Sequence, residues 1–276
     1  LYQDMTRDLP VPILMCNGNH EMCSGYLPQE QAGTAHSSQD AGGVHFVVLD
    51  VVRYLEPTET RPQNWYGMCD STMLEWLKED LSDVSHSTPV VVVCHIPLST
   101  TFPIRMGQKV SRDFPLNEIV NANRLLELLE PFDHVATLHG HDHENCRHFV
   151  GDIEVMITGA VAGNWWRNGL DSRAHGREPQ GYRLLEVSEG GEISSRFVAF
   201  VAEQDEPAEC YELEESGRRF INVYDASPRT RVSVEGLGDL ASVDPKAETS
   251  RGLSTHVYEL PDGFDRGKVA TKIWFE

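Results

Sequence analysis

The sequence contains no apolar run approaching the roughly 20 residues that a membrane-spanning helix needs, so no transmembrane segment is expected. Positive charge is scarce: 23 Lys and Arg stand against 43 Asp and Glu, a formal net charge of −20. A chain this acidic repels a phosphate backbone, and no nucleic-acid partner is expected. A local group of metal ions would still reverse that field for a small phosphate-bearing substrate. The 6 cysteines are too few and too scattered for a disulfide scaffold, and no CxxC pair offers a zinc ribbon. Cys16 and Cys94 each end an apolar run and read as buried free thiols. Internal repeats and low-complexity tracts are missing too. So is a basic-then-apolar leader, and the chain opens on Leu1 rather than Met. A removed leader or a longer parent chain is therefore expected, and the motifs favour the longer parent. The compartment stays open for a soluble chain, periplasmic or secreted if a signal peptide lies upstream. Oligomeric state is not legible.

What is present is ordinary globular material: 276 residues, 40% hydrophobic and 24% charged, enough for one or two domains with a sizeable core. Residues 11–16 form a short apolar run that stops at Asn17-Gly18-Asn19-His20-Glu21, the pattern of a buried strand ending in a loop. Residues 45–52 (HFVVLDVV) read as another strand. Residues 70–84 read as a helix with Asp70 or Ser71 as N-cap and Leu74, Leu77 and Leu81 on one face. The run Val90-Val91-Val92-Val93 is a strand buried on both faces that ends at Cys94-His95. A second helix is expected over 116–129, stopping at Pro131. Residues 134–138 form a further strand ending in His139-Gly140-His141-Asp142-His143. Strands alternating with helices imply an α/β architecture, whose ligands gather at the strands' carboxyl ends. Beyond Phe149 short strands dominate (153–157, 181–187, 193–201). An acidic stretch at 202–215 reads as a linker or exposed edge, and 220–274 as a small all-β domain. The expected division is 1–202 and 203–276.

Three strand ends thus deliver Asn19 with His20, then His95, then His141 with His143. Imidazole nitrogen and amide oxygen suit divalent transition metals. An HxH spacing puts both rings on one side if the backbone is extended. Singly, each motif is a commonplace turn or a satisfied histidine; the joint pattern, each member closing an apolar run, is not.

CNGNHE at 16–21, VVVCHIPL at 91–98 and LHGHDHENC at 138–146 resemble the last three motifs of the calcineurin-like metallophosphoesterases. WYGMCDSTMLEWLKEDL at 65–81 is similar to that family's helix before the single-histidine strand. The stretch 157–187 with the β-rich tail resembles a subgroup carrying a dedicated C-terminal domain. The resemblance implies a four-layer α/β sandwich, here lacking its first strands, and hydrolysis of a small phosphomonoester or phosphodiester. It makes Asn19, His95 and His141 ligands of one metal and His143 a ligand of a second, with His20 beside the substrate, stabilising charge and protonating the leaving oxygen. Two divalent ions (Mn, Fe, Zn or Co) about 3.5 Å apart would polarise the phosphoryl group and lower the pKa of a bridging water. Glu21 and Asp142 are candidates for orienting metal-bound imidazoles, or else solvated loop acids. Trp165 and Trp166 either enclose an apolar part of the substrate or pack between the domains.

The family's DxH and GDxxD motifs, which supply three further ligands including a bridging carboxylate, are not found before Asn19; Asp4 and Asp8 match neither. Weak or absent two-metal binding by this chain alone is therefore expected, with the remaining ligands upstream, and hydrolysis is expected of the full-length protein rather than of this stretch by itself. Two rival readings stand beside the hydrolase: a degenerate phosphoesterase fold that binds a partner or glycan, and a single-metal hydrolase using Asn19, His95 and His141.

Overall fold

The structure is a computed structural model, and it describes residues 8–22, 36–59, 64–108, 117–161, 174, 177–200, 207–214, 216–244, 246–247, 253–262 and 271–274. Its main sheet has six strands: β1 (His36–Ala41), β2 (Val44–Leu49), β5 (Val90–Val93), β6 (Val135–His139), β7 (Cys146–Val150) and β8 (Ile153–Ile157). Their order is β1-β2-β5-β6-β8-β7. The four central strands are mutually parallel, while β1 and β7 close the edges antiparallel. The valine runs explain this core. Val90, Val91 and Val92 are fully buried, which only a central strand covered on both faces allows.

Helices α1 (Ser71–Ser82) and α3 (Ala122–Leu129) cover one face of the sheet. Their Met73, Leu77, Leu81, Leu125 and Leu129 pack with Val47, Leu49, Val90, Val92 and Val155 in one cluster. Asp70 is the N-cap of α1: its carboxylate accepts from the Met73 amide at 2.9 Å and also pairs with Arg53 at 2.7 Å. Burial alone would raise the Asp70 pKa, but the Met73 amide and the Arg53 guanidinium outweigh it and hold the group below its ordinary value.

Three expectations need correction. Residues 11–16 form no strand; Leu9, Val11, Ile13 and Met15 are exposed, because no neighbouring strand pairs with them among the described residues. The strand expected over 45–52 breaks at Asp50, whose carboxylate accepts from the Val52 amide at 3.1 Å and turns the chain. Past that turn, β3 (Val52–Tyr54) pairs instead with β4 (Trp65–Gly67). The second helix starts at Ala122 because the preceding residues are held elsewhere. Ile119 bridges Gly67, and the Asn121 amide both accepts from the Cys69 N–H and donates to the Cys69 carbonyl. The thiols are free among the described residues; Cys94 is buried as expected, whereas Cys16 is only half-buried.

After β9 (Gly181–Val187) and β10 (Ile193–Ala199), a two-stranded ribbon, the chain builds two three-stranded sheets. One joins β11 (Ala208–Glu212), β12 (Arg219–Val223) and β15 (Val257–Leu260); the other joins β13 (Arg231–Val234), β14 (Gly238–Leu240) and β16 (Thr271–Trp274). Ile221, Val223, Val232, Val234, Tyr258 and Leu260 form their shared core. The sheet loop after His143 is fastened to this region. Asn145 Nδ2 donates to the Tyr224 carbonyl at 3.1 Å, Ser254 Oγ to the Asn145 carbonyl at 3.2 Å, and Arg147 Nη1 to the Asp225 carbonyl at 2.9 Å. The fold is therefore α/β around a mixed sheet, with several small sheets besides. No helix among the described residues is long and apolar enough to cross a membrane.

Candidate metal centre

β5 and β6 lie side by side and parallel, so their carboxyl ends bring residues 94–95 and 140–143 together. The Gly140 N–H donates to the His95 carbonyl at 3.1 Å and fixes the two loops against each other. A third segment, the 3-10 turn Asn19–Met22, comes from the exposed N-terminal stretch. Glu21 organises that turn, its carboxylate accepting from the Gly18 N–H at 2.6 Å. The space beside Gly18 is tight. A Cβ there would stand 3.0 Å from both His95 Cε1 and Glu21 Oε2.

Three donor atoms converge at this point. Asn19 Oδ1 lies 2.8 Å from His95 Nε2 and 3.1 Å from His141 Nδ1, and the two nitrogens are 3.3 Å apart. Ligands about 2.1 Å from one ion lie roughly 3.0 Å apart at right angles and roughly 3.4 Å apart at tetrahedral angles. The observed distances, 2.8, 3.1 and 3.3 Å, lie nearer the right-angle spacing. Ring N–H groups donating to Asn19 Oδ1 would also hold the trio together, so the arrangement is stable as a hydrogen-bonded cluster and suited to a cation. Burial, reinforced by the nearby His143 and His20 rings, lowers the His95 pKa to about 4, which leaves its imidazole neutral, the form that ligates.

His143 and His20 line the same cavity of about 370 Å³ as Asn19 and His141. Their rings stack at 6.4 Å between centroids. Among the described residues no group of three His, Cys, Asp or Glu side chains is placed to hold a metal, so the triangle depends on the amide of Asn19. The HxH segment is not extended: His141 and His143 both take left-handed backbone angles, with φ of 70° and 57°. Such conformations are uncommon for non-glycine residues and are retained where surrounding structure fixes them.

Asp142, between the two histidines, lines the same cavity. It is buried and accepts from Thr100 Oγ1 at 2.5 Å and Asn117 Nδ2 at 2.9 Å. Burial pushes its pKa up to about 6, against the lowering effect of those two donors. Through these bonds Asp142 and Glu21 shape the backbone of the loops that carry the histidines and Asn19. Trp165 and Trp166 lie outside the described residues.

Sequence reasoning missed Trp65, which meets His141 edge to face at 4.6 Å and 83°. It also missed Asn117, Phe102 and Met106, which line the cavity. No motif spacing marks these residues; only the chain's return past the sheet end brings them in.

Gly18→Ala is expected to displace the His95 ring and weaken divalent-metal affinity about tenfold, as loss of a ligand-orienting neighbour does. Thermal stability should fall little. Calorimetric titration of the variant beside wild type measures both.

No family model and no curated protein matches the chain. Among solved structures 16 chains match. One is GAP50, the anchor in the inner membrane complex of Plasmodium, at 16% identity and TM-score 0.37, covering 62% of this chain and 51% of that one. Another is a Staphylococcus aureus protein provisionally assigned as a 5'-nucleotidase, in complex with alpha-ketoglutarate. It is 12% identical with TM-score 0.34, covering 68% of this chain and 32% of that one. The chain therefore spans about half or less of these structures' length, and at such TM-scores neither bears on its chemistry.

Proposed function

We propose that the chain serves a metal-dependent phosphoester hydrolase acting on a small mono- or diester. The observation that carries this reading is the triangle of Asn19 Oδ1, His95 Nε2 and His141 Nδ1, the two histidines following adjacent parallel strands and Asn19 brought in on a 3-10 turn. A divalent ion held there would polarise a phosphoryl oxygen and lower the pKa of bound water. His143, on the same cavity wall, is the candidate ligand for a second ion. In the reaction a water oxygen bonds to phosphorus and the ester P–O bond breaks. His20, exposed in that cavity, donates the proton that the leaving oxygen needs. Asp142, through Thr100 and Asn117, holds the left-handed turns that aim His141 and His143. The frame proposed around the centre is the four-layer α/β sandwich, with residues 203–276 as a separate β domain.

One observation favours a non-catalytic binding protein instead. The trio carries no negative charge, and the nearest loop acids on either side, Glu21 and Asp142, are engaged with Gly18, Thr100 and Asn117. Hydrolysis of bis(p-nitrophenyl) phosphate and p-nitrophenyl phosphate by the full-length parent protein, with added Mn²⁺, decides between them. The hydrolase reading expects turnover that falls about 10²-fold or more in His20→Ala, the scale of a lost general acid, with metal affinity unchanged. Absence of turnover in a protein that binds the ion supports the binding module.

A further inference from the structure

The cavity beside the trio is not polar all round. Trp65, Phe102 and Met106 line it as well, all three only half-buried. They come from two segments distant in sequence: β4, and the short helix α2 (Phe102–Arg105) with Met106 at its end. Apolar and aromatic side chains beside a few convergent polar groups are the usual lining of a small-molecule site.

This wall is fastened to the metal loop. The Phe102 N–H donates to Thr100 Oγ1 at 3.1 Å, and the same hydroxyl donates to Asp142 at 2.5 Å. Behind it the fully buried Arg105 pairs with the equally buried Glu144, the residue after His143. Trp65 rests on His141 itself. The apolar side chains and the ligating atoms are thus held in a fixed mutual relation, as binding of one bifunctional molecule requires.

We infer that Trp65, Phe102 and Met106 form the subsite for the organic group of the ester, and that it takes a flat, uncharged ring in preference to a small alkyl or polyol group. The phosphoester part of this statement rests on the hydrolase reading above; the ring-binding part does not. About 370 Å³ is room for one ring with a phosphoryl group beside it. A flat ring can stack on or pack edge to face against the Trp65 indole and Phe102 phenyl rings, which a polyol cannot.

Two binding measurements on the full-length parent protein test this. With Mn²⁺ present, and at a pH where both are dianions, phenylphosphonate should bind at least about tenfold more tightly than methylphosphonate, since its ring brings the larger apolar area. That preference should shrink to about twofold or less in Trp65→Ala. Met106→Gln, at the end of a short helix, is the companion variant if Trp65→Ala melts early, and circular dichroism reports the fold of each. Without metal, saturation-transfer NMR with p-nitrophenol should show ring contact in wild type that is lost in the variants. If neither phosphonate binds while p-nitrophenol contact is present and variant-sensitive, the subsite stands and the hydrolase reading falls. Equal affinity for the two phosphonates, or no p-nitrophenol contact, or contact unchanged in folded variants, overturns the subsite and leaves the hydrolase reading intact.

Discussion

Replacing Arg105 by alanine is expected to lower the unfolding free energy by about 3–5 kcal/mol, enough to consume much of a domain's stability. Arg105 and Glu144 are both fully buried and form an ion pair. Removing one partner leaves the other charge in a medium that cannot solvate it. The pair also connects two walls of the cavity, since Arg105 adjoins Met106 and Glu144 adjoins His143. The variant should therefore lose metal affinity along with stability. A double replacement, Arg105→Met with Glu144→Leu, removes both charges and should recover most of the stability, because apolar substitutes for a buried pair are often neutral. Urea unfolding of the three proteins measures this. A loss below about 1 kcal/mol in the single variant, the scale of an exposed pair, would show that the pair is solvated.

Acid is expected to act through His148. Burial pushes its pKa down from 6.5 to about 4, and its Nε2 lies 2.6 Å from Ser99 Oγ. Because the folded-state value is the lower one, the unfolded chain takes up the proton first as pH falls. The contribution of neutral His148 is complete above 6.5 and is lost progressively as pH falls toward 4. At roughly 1.4 kcal/mol per pH unit, two units of pH cost about 2–3 kcal/mol. Asp142 works the other way. Its folded-state value, raised from 3.8 to about 6, adds stability as pH falls through that interval and blunts the profile of the whole protein. The comparison must therefore be between His148→Gln and wild type. Glutamine keeps a polar partner for Ser99 and binds no proton, so the variant should gain about 2–3 kcal/mol on wild type between pH 7.5 and pH 4.5. Parallel stability curves would show His148 to titrate normally in the fold.

The sequence made some of this legible for identifiable reasons. Four successive valines define a central strand, and Asp70 followed by Leu74, Leu77 and Leu81 defines a capped amphipathic helix, although Met73 is fully buried on that helix and Leu74 only partly so; both are local signals. The convergence of Asn19, His95 and His141 is readable because each follows its own apolar run; adjacent strand ends bring the two histidines together, and a 3-10 turn brings in Asn19. Other features depend on contacts distant in sequence. Val11, Ile13 and Met15 look like a buried strand, yet they are exposed, since an apolar run becomes a buried strand only if a partner pairs with it. Asn121 shortens α3 by bonding Cys69, which is 52 residues away. The left-handed turns at His141 and His143 carry no glycine to announce them. Asp142 reads as a loop acid by spacing and is instead a buried anchor for Thr100 and Asn117.

The proposal that Asn19, His95 and His141 ligate one ion is tested most directly by Co²⁺ titration, followed through the visible absorption of the ion. Saturable binding of one ion per chain is the expected result, with nitrogen coordination and with loss in both His95→Ala and His141→Ala while those variants stay folded. Binding that survives in both variants, or no binding by the folded wild-type chain, would contradict a metal centre built on Asn19, His95 and His141.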